Sequence, residues 1–185
     1  MKKIFSLLIF SLIISQMTIA QESEKTGFDK SKLFFGGTLG LAFGYATAIH
    51  VAPIVGYHFS PMFAAGVGLN YSYYSYDYGY AKSKQTYAGM SLFGRFFPVQ
   101  QFFIQVQPEI NYLWYSEEYT SGNNQTTPLY KFNQWVPSFL LGGGTAIPTG
   151  PNGAITISVM YDVIQNVYSP YYHQAVYAFG YSMGF

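Results

Sequence analysis

Over most of its length the chain alternates bulky apolar side chains with small or polar ones. This period-two pattern is typical of β-strands, because successive side chains of a strand face opposite sides of its sheet. Residues 175–185 show it most clearly: Tyr177, Phe179 and Tyr181 share one face, and the other face is almost entirely Ala, Gly and Ser. Val176 is the only bulky residue out of phase there.

The alternation predicts eight strands along the chain. Tight turns follow the second, fourth and sixth strands, whereas long polar segments, 77–85 and 116–132, follow the third and fifth. A short loop near Ser169 leads to the last strand. An even number of strands with connections that alternate in length predicts an antiparallel up-and-down β-barrel. The predicted strands are at about residues 33–45, 48–59, 62–76, 86–97, 102–115, 134–147, 154–166 and 175–185.

Composition places this barrel in lipid. Charged residues make up 9% of the chain, against roughly 25% in ordinary soluble domains, and aromatic residues make up 21%. After Ile14 no stretch approaches the roughly 20 apolar residues of a membrane-spanning helix, and only helices and closed barrels satisfy their backbone in lipid. The predicted fold class is therefore all-β, an eight-stranded antiparallel up-and-down transmembrane β-barrel. A soluble lipocalin-like barrel would expose the Gly- and Ala-rich face to water with few charges, which argues against it.

The start of the chain has the features of a secretory signal peptide. Lys2 and Lys3 precede an apolar stretch at 4–15, and Ala20 supplies the small residue of a cleavage site. The Ala20-Gln21 junction resembles signal peptides of the Bacteroidetes type. An uncleaved anchor is the alternative, although the apolar stretch is short. The predicted organisation is a signal peptide at 1–20, a short periplasmic segment at 21–32 and a barrel domain at 33–185.

The C-terminal strand resembles the closing strand of an outer-membrane barrel of Gram-negative bacteria. Tyr181, Met183 and Phe185 lie on its large face, and the chain ends on Phe185. Such an end resembles the signal that the barrel-insertion machinery reads. From 33 to 185 the chain resembles the OmpA/OmpX-like small barrels, often called porin-like. The resemblance implies location in the cell outer membrane, with membrane lipid and the insertion machinery as partners.

Three charged residues lie within predicted strands, and the parity of Arg95, Glu109 and Asp162 points all three inward. A charge facing lipid near the midplane would cost about 2–4 kcal/mol. We expect Arg95 to bond Glu109 or Asp162 in an interior polar network with Gln105 and Gln107, although direct contact depends on the barrel shear. The alternative is a gated ion path. Because an eight-stranded barrel is just wide enough for its side chains, we predict a filled bore.

Other chemistry receives little support. The chain has no cysteine, a net charge of +1 and no basic cluster, so thiolate chemistry is excluded and nucleic-acid binding is not expected. His50 and His58 are about 26 Å apart along one strand, so they cannot share a metal, and no cofactor is predicted. A Ser-His-acid site would need His50 or His173 beside Ser75 or Ser169, and no spacing supports this.

The predicted function is a non-enzymatic integral outer-membrane protein with a structural, adhesive or partner-binding role. Its binding surface would be the loops at 71–80 and 112–130, which are rich in Tyr, Ser, Asn and Gly. A narrow porin-like channel is the first alternative. A lipid-modifying outer-membrane enzyme is the second.

Overall fold

The computed structural model describes residues 29–42, 46–78, 81–120 and 126–184. They form one closed barrel in which each antiparallel strand pairs with the next along the chain and β8 pairs with β1. This confirms the predicted all-β, eight-stranded antiparallel up-and-down barrel. The predicted signal peptide lies outside the described residues. The strands are β1 (Leu33–Ala42), β2 (Ala46–Ser60), β3 (Phe63–Asp77), β4 (Ala81–Val99), β5 (Phe102–Thr120), β6 (Thr126–Pro148), β7 (Gly153–Asp162) and β8 (Ala175–Gly184).

A single 3-10 turn at Lys30–Lys32 leads into β1. The Asp29 carboxylate caps it by accepting hydrogen bonds from the Ser31 hydroxyl at 2.7 Å and the Ser31 N–H at 3.0 Å. These bonds favour the ionised form and lower the pKa of Asp29. Among the described residues, no helix is long and apolar enough to cross a membrane.

The outer wall of the barrel is apolar, and the bore holds buried polar and charged side chains beside small apolar clusters. Leu39, Leu69 and Met90 are each more than 60% exposed on the outer wall. Glu109 and Asp162 lie in the bore and are 6% and 0% exposed. This distribution is the reverse of that in water-soluble proteins, in which charged residues are almost never fully buried.

Large and small interior side chains complement one another near one end of the bore. Phe34, Ala64 and Phe93 form a buried cluster there. A Cβ on Gly66 would lie 2.6 Å from the Phe93 ring, and a Cβ on Gly56 would overlap the Phe34 ring. The two glycines therefore leave the space that the two rings occupy, since interiors are filled close to crystal density.

The two ends of the barrel differ. At the turn end, which carries the connections 61–62, 100–101 and 149–152, the strands are joined by tight turns. At the opposite end, the rim, β6 extends far beyond the end of β7, and the ladder pairs of β3–β6 continue with it. β4 begins at Ala81, β5 continues to Thr120 and β6 begins at Thr126, so most of the predicted loops at 77–85 and 116–132 are strand and those predictions were wrong. In these segments the strands stay paired, but polar and Tyr residues occupy both of their faces. The alternation of apolar and polar residues that marks a strand in the sequence is therefore lost.

The connection between β7 and β8 is longer than predicted. β7 ends at Asp162, four residues before the predicted end, and residues 163–174, here called the plug segment, form turns that enter the mouth of the bore. The Asp162 carboxylate accepts the N–H of Ile164 at 3.1 Å, which turns the chain away from the sheet. Within this segment Gln165 and His173 both adopt φ 54°.

Two interruptions of the ladders coincide with prolines. The β2–β3 pairs stop at Val51 and resume at Ile54, on either side of Pro53. The β4–β5 pairs skip the register position of Pro108. Proline has no N–H to donate, so each interruption has a local cause.

The barrel closes incompletely between its first and last strands. β1 pairs with β8 only over Phe34 to Thr38, opposite Gly184 to Gly180. Among the described residues no ladder pair joins 39–42 of β1 to 176–179 of β8. We call this stretch the β1–β8 seam.

Candidate functional site

A row of polar side chains, here called the polar ladder, runs along the interior face of β5. The Gln107 amide donates to Glu109 Oε1 at 2.6 Å, and the Asn111 amide donates to Glu109 Oε2 at 3.1 Å. Gln105 donates to Gln107, and Asn70 of β3 donates to Asn111 at 3.4 Å. Alternate residues of one strand lie on the same face, so each side chain reaches the next. The ladder comprises Arg95, Gln105, Gln107, Glu109 and Asn111.

Arg95 forms the end of this ladder nearest the turn end. Its Nε donates to Gln105 Oε1 at 2.7 Å, and its guanidinium lies 5.0 Å and 4.9 Å from the ring centroids of Phe93 and Phe103. Cation–π contacts and a strong hydrogen bond thus compensate the buried charge. The expected bond from Arg95 to Glu109 is replaced by a relay through two glutamines, because Arg95 pairs with Gln105 and three strand residues separate Gln105 from Glu109.

Asp162 belongs to a second cluster, away from Arg95. Its Oδ1 accepts the N–H of Phe139 at 3.0 Å as well as that of Ile164, and its Oδ2 accepts the Ser169 hydroxyl at 3.0 Å. The Ser169 hydroxyl also lies 3.1 Å from Ser138 Oγ. Asp162 therefore fastens the plug segment to β6 and β7.

The plug segment places Tyr171 in the bore. Tyr171 is 9% exposed and packs with Leu140 and Met160, with Val176 against them. Its hydroxyl lies beside the Glu109 carboxyl. The Tyr87 hydroxyl holds the same segment from the opposite wall by donating to the Tyr168 carbonyl at 3.0 Å.

Little free space is left in the middle of the bore, although a pocket of about 340 Å³ lined by Phe34, His58 and Arg95 opens at the turn end. A cavity of about 60 Å³ runs between the polar ladder and the small side chains of β1 and β8. This volume has room for about two water molecules. The middle of the bore is filled, as the strand count led us to expect.

An open cup of about 610 Å³ lies at the rim, above the plug segment. The extended parts of β3–β6 form its wall, and the polar groups Ser83, Gln85, Glu117 and Gln174 share its lining with aromatic rings. We call it the aromatic cup. Its rings come chiefly from Tyr74, Tyr76, Tyr87, Tyr115, Phe132 and Tyr172.

The histidines do not form the Ser-His-acid site considered from the sequence. His50 Nδ1 lies 2.8 Å from Ser72 Oγ, and its Nε2 lies 3.4 Å from Thr38 Oγ1. Ser169, a predicted candidate, bonds Asp162 instead. The described residues contain no group of three or more His, Asp or Glu side chains that could hold a metal.

The C-terminal residues singled out from the sequence lie on the outer wall where the structure describes them. Tyr181 and Met183 are 49% and 50% exposed. Phe185 lies outside the described residues.

The predicted network left out several members of the interior. The alternation of β5 places Asn111 on the inner face with Glu109, but the predicted network did not include it. Ser169 and Tyr171 lie in a segment without alternation, and no pattern in the sequence places them in the bore.

Comparison with known proteins gives two structural likenesses. The N-terminal β-barrel domain of Pseudomonas aeruginosa OprF aligns with 85% of this chain and 100% of its own, at 12% identity and a TM-score of 0.45. Neisserial surface protein A (NspA) aligns with 84% of this chain and 98% of its own, at 12% identity and a TM-score of 0.46. Both likenesses concern the barrel alone. No family model and no curated protein matches the chain.

Proposed function

We propose that this protein is an integral barrel of the bacterial outer membrane that binds a partner or ligand at its outer rim. One observation carries the proposal: the outer wall is apolar while Glu109 and Asp162 are buried inside. In water such a wall would be a very large exposed apolar surface, which soluble monomers avoid. Short turns on the periplasmic side and longer connections outside are typical of such barrels, so the rim faces the exterior.

The outer wall has the aromatic residues of a membrane interface. Trp114 and Trp135 are 43% and 63% exposed, and both rings contact the Tyr112 ring with centroids 4.8 Å and 4.9 Å away. Trp and Tyr are enriched where a barrel wall crosses from hydrocarbon to headgroups. The three rings therefore support a membrane boundary at this height.

A channel function is disfavoured by the contents of the bore. Tyr171 closes the mouth, and the interior cavity of about 60 Å³ does not provide a continuous water path. We propose that the barrel does not conduct ions.

The aromatic cup supports the binding role. Aromatic rings, amides and hydroxyl groups together line this cup. Its volume of about 610 Å³ is within the range of small-molecule pockets. Tyr, Ser and Asn side chains are also typical of adaptable protein-binding surfaces. We propose no enzymatic activity, because the Ser72–His50 pair has the Thr38 hydroxyl where a triad has a carboxylate.

Heat modifiability combined with tryptophan quenching tests the membrane location. We expect recovery in the outer-membrane fraction, a gel-mobility shift between unboiled and boiled samples, and quenching of both tryptophans by brominated lipids. Trp114→Phe and Trp135→Phe separate the two signals. Recovery in the soluble periplasm without quenching would overturn the proposal.

Planar-bilayer recording tests the filled bore. We expect no discrete conductance from the folded protein, and regular single-channel steps would favour the porin-like alternative.

Crosslinking on intact cells tests the role of the rim. A photoreactive residue replacing Tyr172, on the cup, is compared with one replacing Phe63, at the turn end. We expect a distinct adduct only at 172. Equal adducts at both positions, or none at 172, would favour a purely structural role.

A further inference from the structure

The β1–β8 seam lies in the apolar outer wall. Leu39 and Leu41 on one side and Tyr177 and Phe179 on the other are between 57% and 78% exposed. Paired strands normally leave no unpaired edge inside a membrane, because backbone groups in hydrocarbon must be satisfied within the protein. The missing pairs between β1 and β8 in the apolar wall therefore require an explanation.

The space around Gly40 shows independently that the seam is open. A Cβ on Gly40 would meet only the His50 Cβ, at 3.5 Å, and no atom of β8 within 4 Å. Four residues earlier, a Cβ on Gly36 would lie 2.6 Å from the Tyr181 carbonyl oxygen and 3.0 Å from Ser182. β1 and β8 are therefore in contact from Thr38 toward the turn end and separated from Thr38 toward the rim.

A pocket of about 240 Å³ passes through the wall at this point. Its outer lining includes Leu39, Tyr177 and Phe179, which face outward, and its inner lining includes Tyr171 and Val176, which face the bore. The pocket thus connects the outer surface with the interior above the polar ladder.

Val176 gives this inner surface its chemistry. It is the bulky residue that breaks the alternation of the last strand, and it packs against the buried cluster of Leu140, Met160 and Tyr171. A small residue at 176 would match Ala178 and Gly180 on the same face. The valine therefore adds an apolar side chain to an inner lining that also contains Thr38 and His50.

We propose that the β1–β8 seam is a side entrance that admits one acyl chain of a membrane lipid, which packs against Val176 and Tyr171. The inference rests on the proposed membrane location, because it needs lipid at the outer wall. A lipid tail is favoured over an aqueous solute because both outer rims are apolar and Val176 gives the inner end an apolar side chain, although the polar groups of Thr38, His50 and Gln174 also line it. It is favoured over a second copy of the chain because the pocket continues inward, past the strand edges that a second copy would pair with.

Photolabelling of the unmodified protein tests this directly. The protein is reconstituted in phosphatidylethanolamine vesicles that carry a diazirine within an acyl chain, irradiated, digested and mapped by mass spectrometry. We expect adducts on Val176 and Tyr171 in addition to outward residues such as Phe179. The inward residues Leu113 and Phe93, far from the seam, should carry none.

The outcomes separate the two proposals. Adducts on Phe179 and Met90 without any on Val176 or Tyr171 would overturn the side entrance while leaving the membrane location intact. Absence of adducts on the outward residues would contradict the membrane location itself.

A blocking variant provides the second measurement. Gly40 faces the bore opposite His50 and lines the pocket, so Gly40→Phe places a ring in its inner part. We expect this ring to reduce labelling of Val176 to the level of Leu113 while labelling of Met90 is unchanged. The matched control Gly94→Phe places the same ring on the outer wall of β4, where a Cβ meets only Val106 at 3.6 Å. Undiminished labelling of Val176 in folded Gly40→Phe would contradict entry through the seam.

Discussion

At the scale of single residues, Asp162 has the most demanding position in the barrel. It is fully buried and accepts three hydrogen bonds, two from backbone N–H groups and one from Ser169. Its side chain holds the end of β7, the start of the plug segment and β6 together. Removing it leaves buried donors unpaired, which costs more than the bonds themselves contribute.

We expect Asp162→Ala to lower the free energy of unfolding by about 3 kcal/mol. Asp162→Asn is the matched control, because its carbonyl oxygen still accepts both N–H groups and its amide can donate to Ser169; we expect a much smaller loss. Urea unfolding in lipid vesicles, followed by tryptophan fluorescence, measures both. Equal losses in the two variants would contradict the assigned role.

Glycines on β4 provide a second test of the interior. A Cβ on Gly89 would overlap the Ile110 carbonyl oxygen and lie 2.7 Å from the Asn111 Cα, and neither backbone atom can move easily. We expect Gly89→Ala to destabilise the barrel by about 1–3 kcal/mol. Gly94→Ala, on the outer wall of the same strand, should have little effect. Similar unfolding midpoints would show that the β4–β5 contact is looser than described.

At the scale of elements, alternation predicted which face of each strand meets the core but misjudged where four strands, β4 to β7, begin or end. Outside the apolar wall, Tyr, Ser and Gln residues occupy both faces of β4, β5 and β6, so no contrast marks the strand. The predicted end of β7 was too late because the apolar alternation continues to Val163. The turn that ends the strand depends on the Asp162 carboxylate, which the alternation does not reveal. Partners on strands that are not adjacent, such as Asn70 of β3 and Asn111 of β5, depend on barrel shear, which no single strand encodes.

The extended β5–β6 hairpin is expected to be dispensable for barrel stability. Joining Glu117 to Tyr130, which are paired, through an Asn-Gly turn removes the outer ladder and the Lys84–Glu118 ion pair of 3.1 Å. A pair this exposed contributes about 0–1 kcal/mol. We expect an unchanged heat-modifiability shift on gels.

Deletion of Val106 alone serves as the control for that experiment. Removing one residue within the wall turns every later side chain of β5 to the opposite face. We expect no folded band. Loss of folding in the shortened hairpin as well would show that the rim contributes to barrel stability.

At the scale of the whole molecule, the proposed membrane location predicts that the cost of a charge on the outer wall depends on its height along the barrel. Leu92 is 59% exposed midway along the barrel part of β4, and Val99 is 61% exposed beside the turn. We expect Leu92→Arg to cost about 2–4 kcal/mol and Val99→Arg about 0–1 kcal/mol. Unfolding in vesicles compares the variants, and equal small effects would indicate a wall that faces water.

The polar ladder also has a consequence for how the barrel is assembled. Arg95 and the ladder residues of β5 all belong to one hairpin, β4–β5, so most of their bonds form before any other strand is added. Until the first and last strands meet, however, this hairpin still presents Glu109 on an uncovered face. We infer that hairpins cannot enter the bilayer one after another, and that β5 stays in contact with water until the sheet curls. Closure is then the committed step of insertion, and an intermediate arrested before it should leave a Gln107→Cys thiol open to water-soluble reagents.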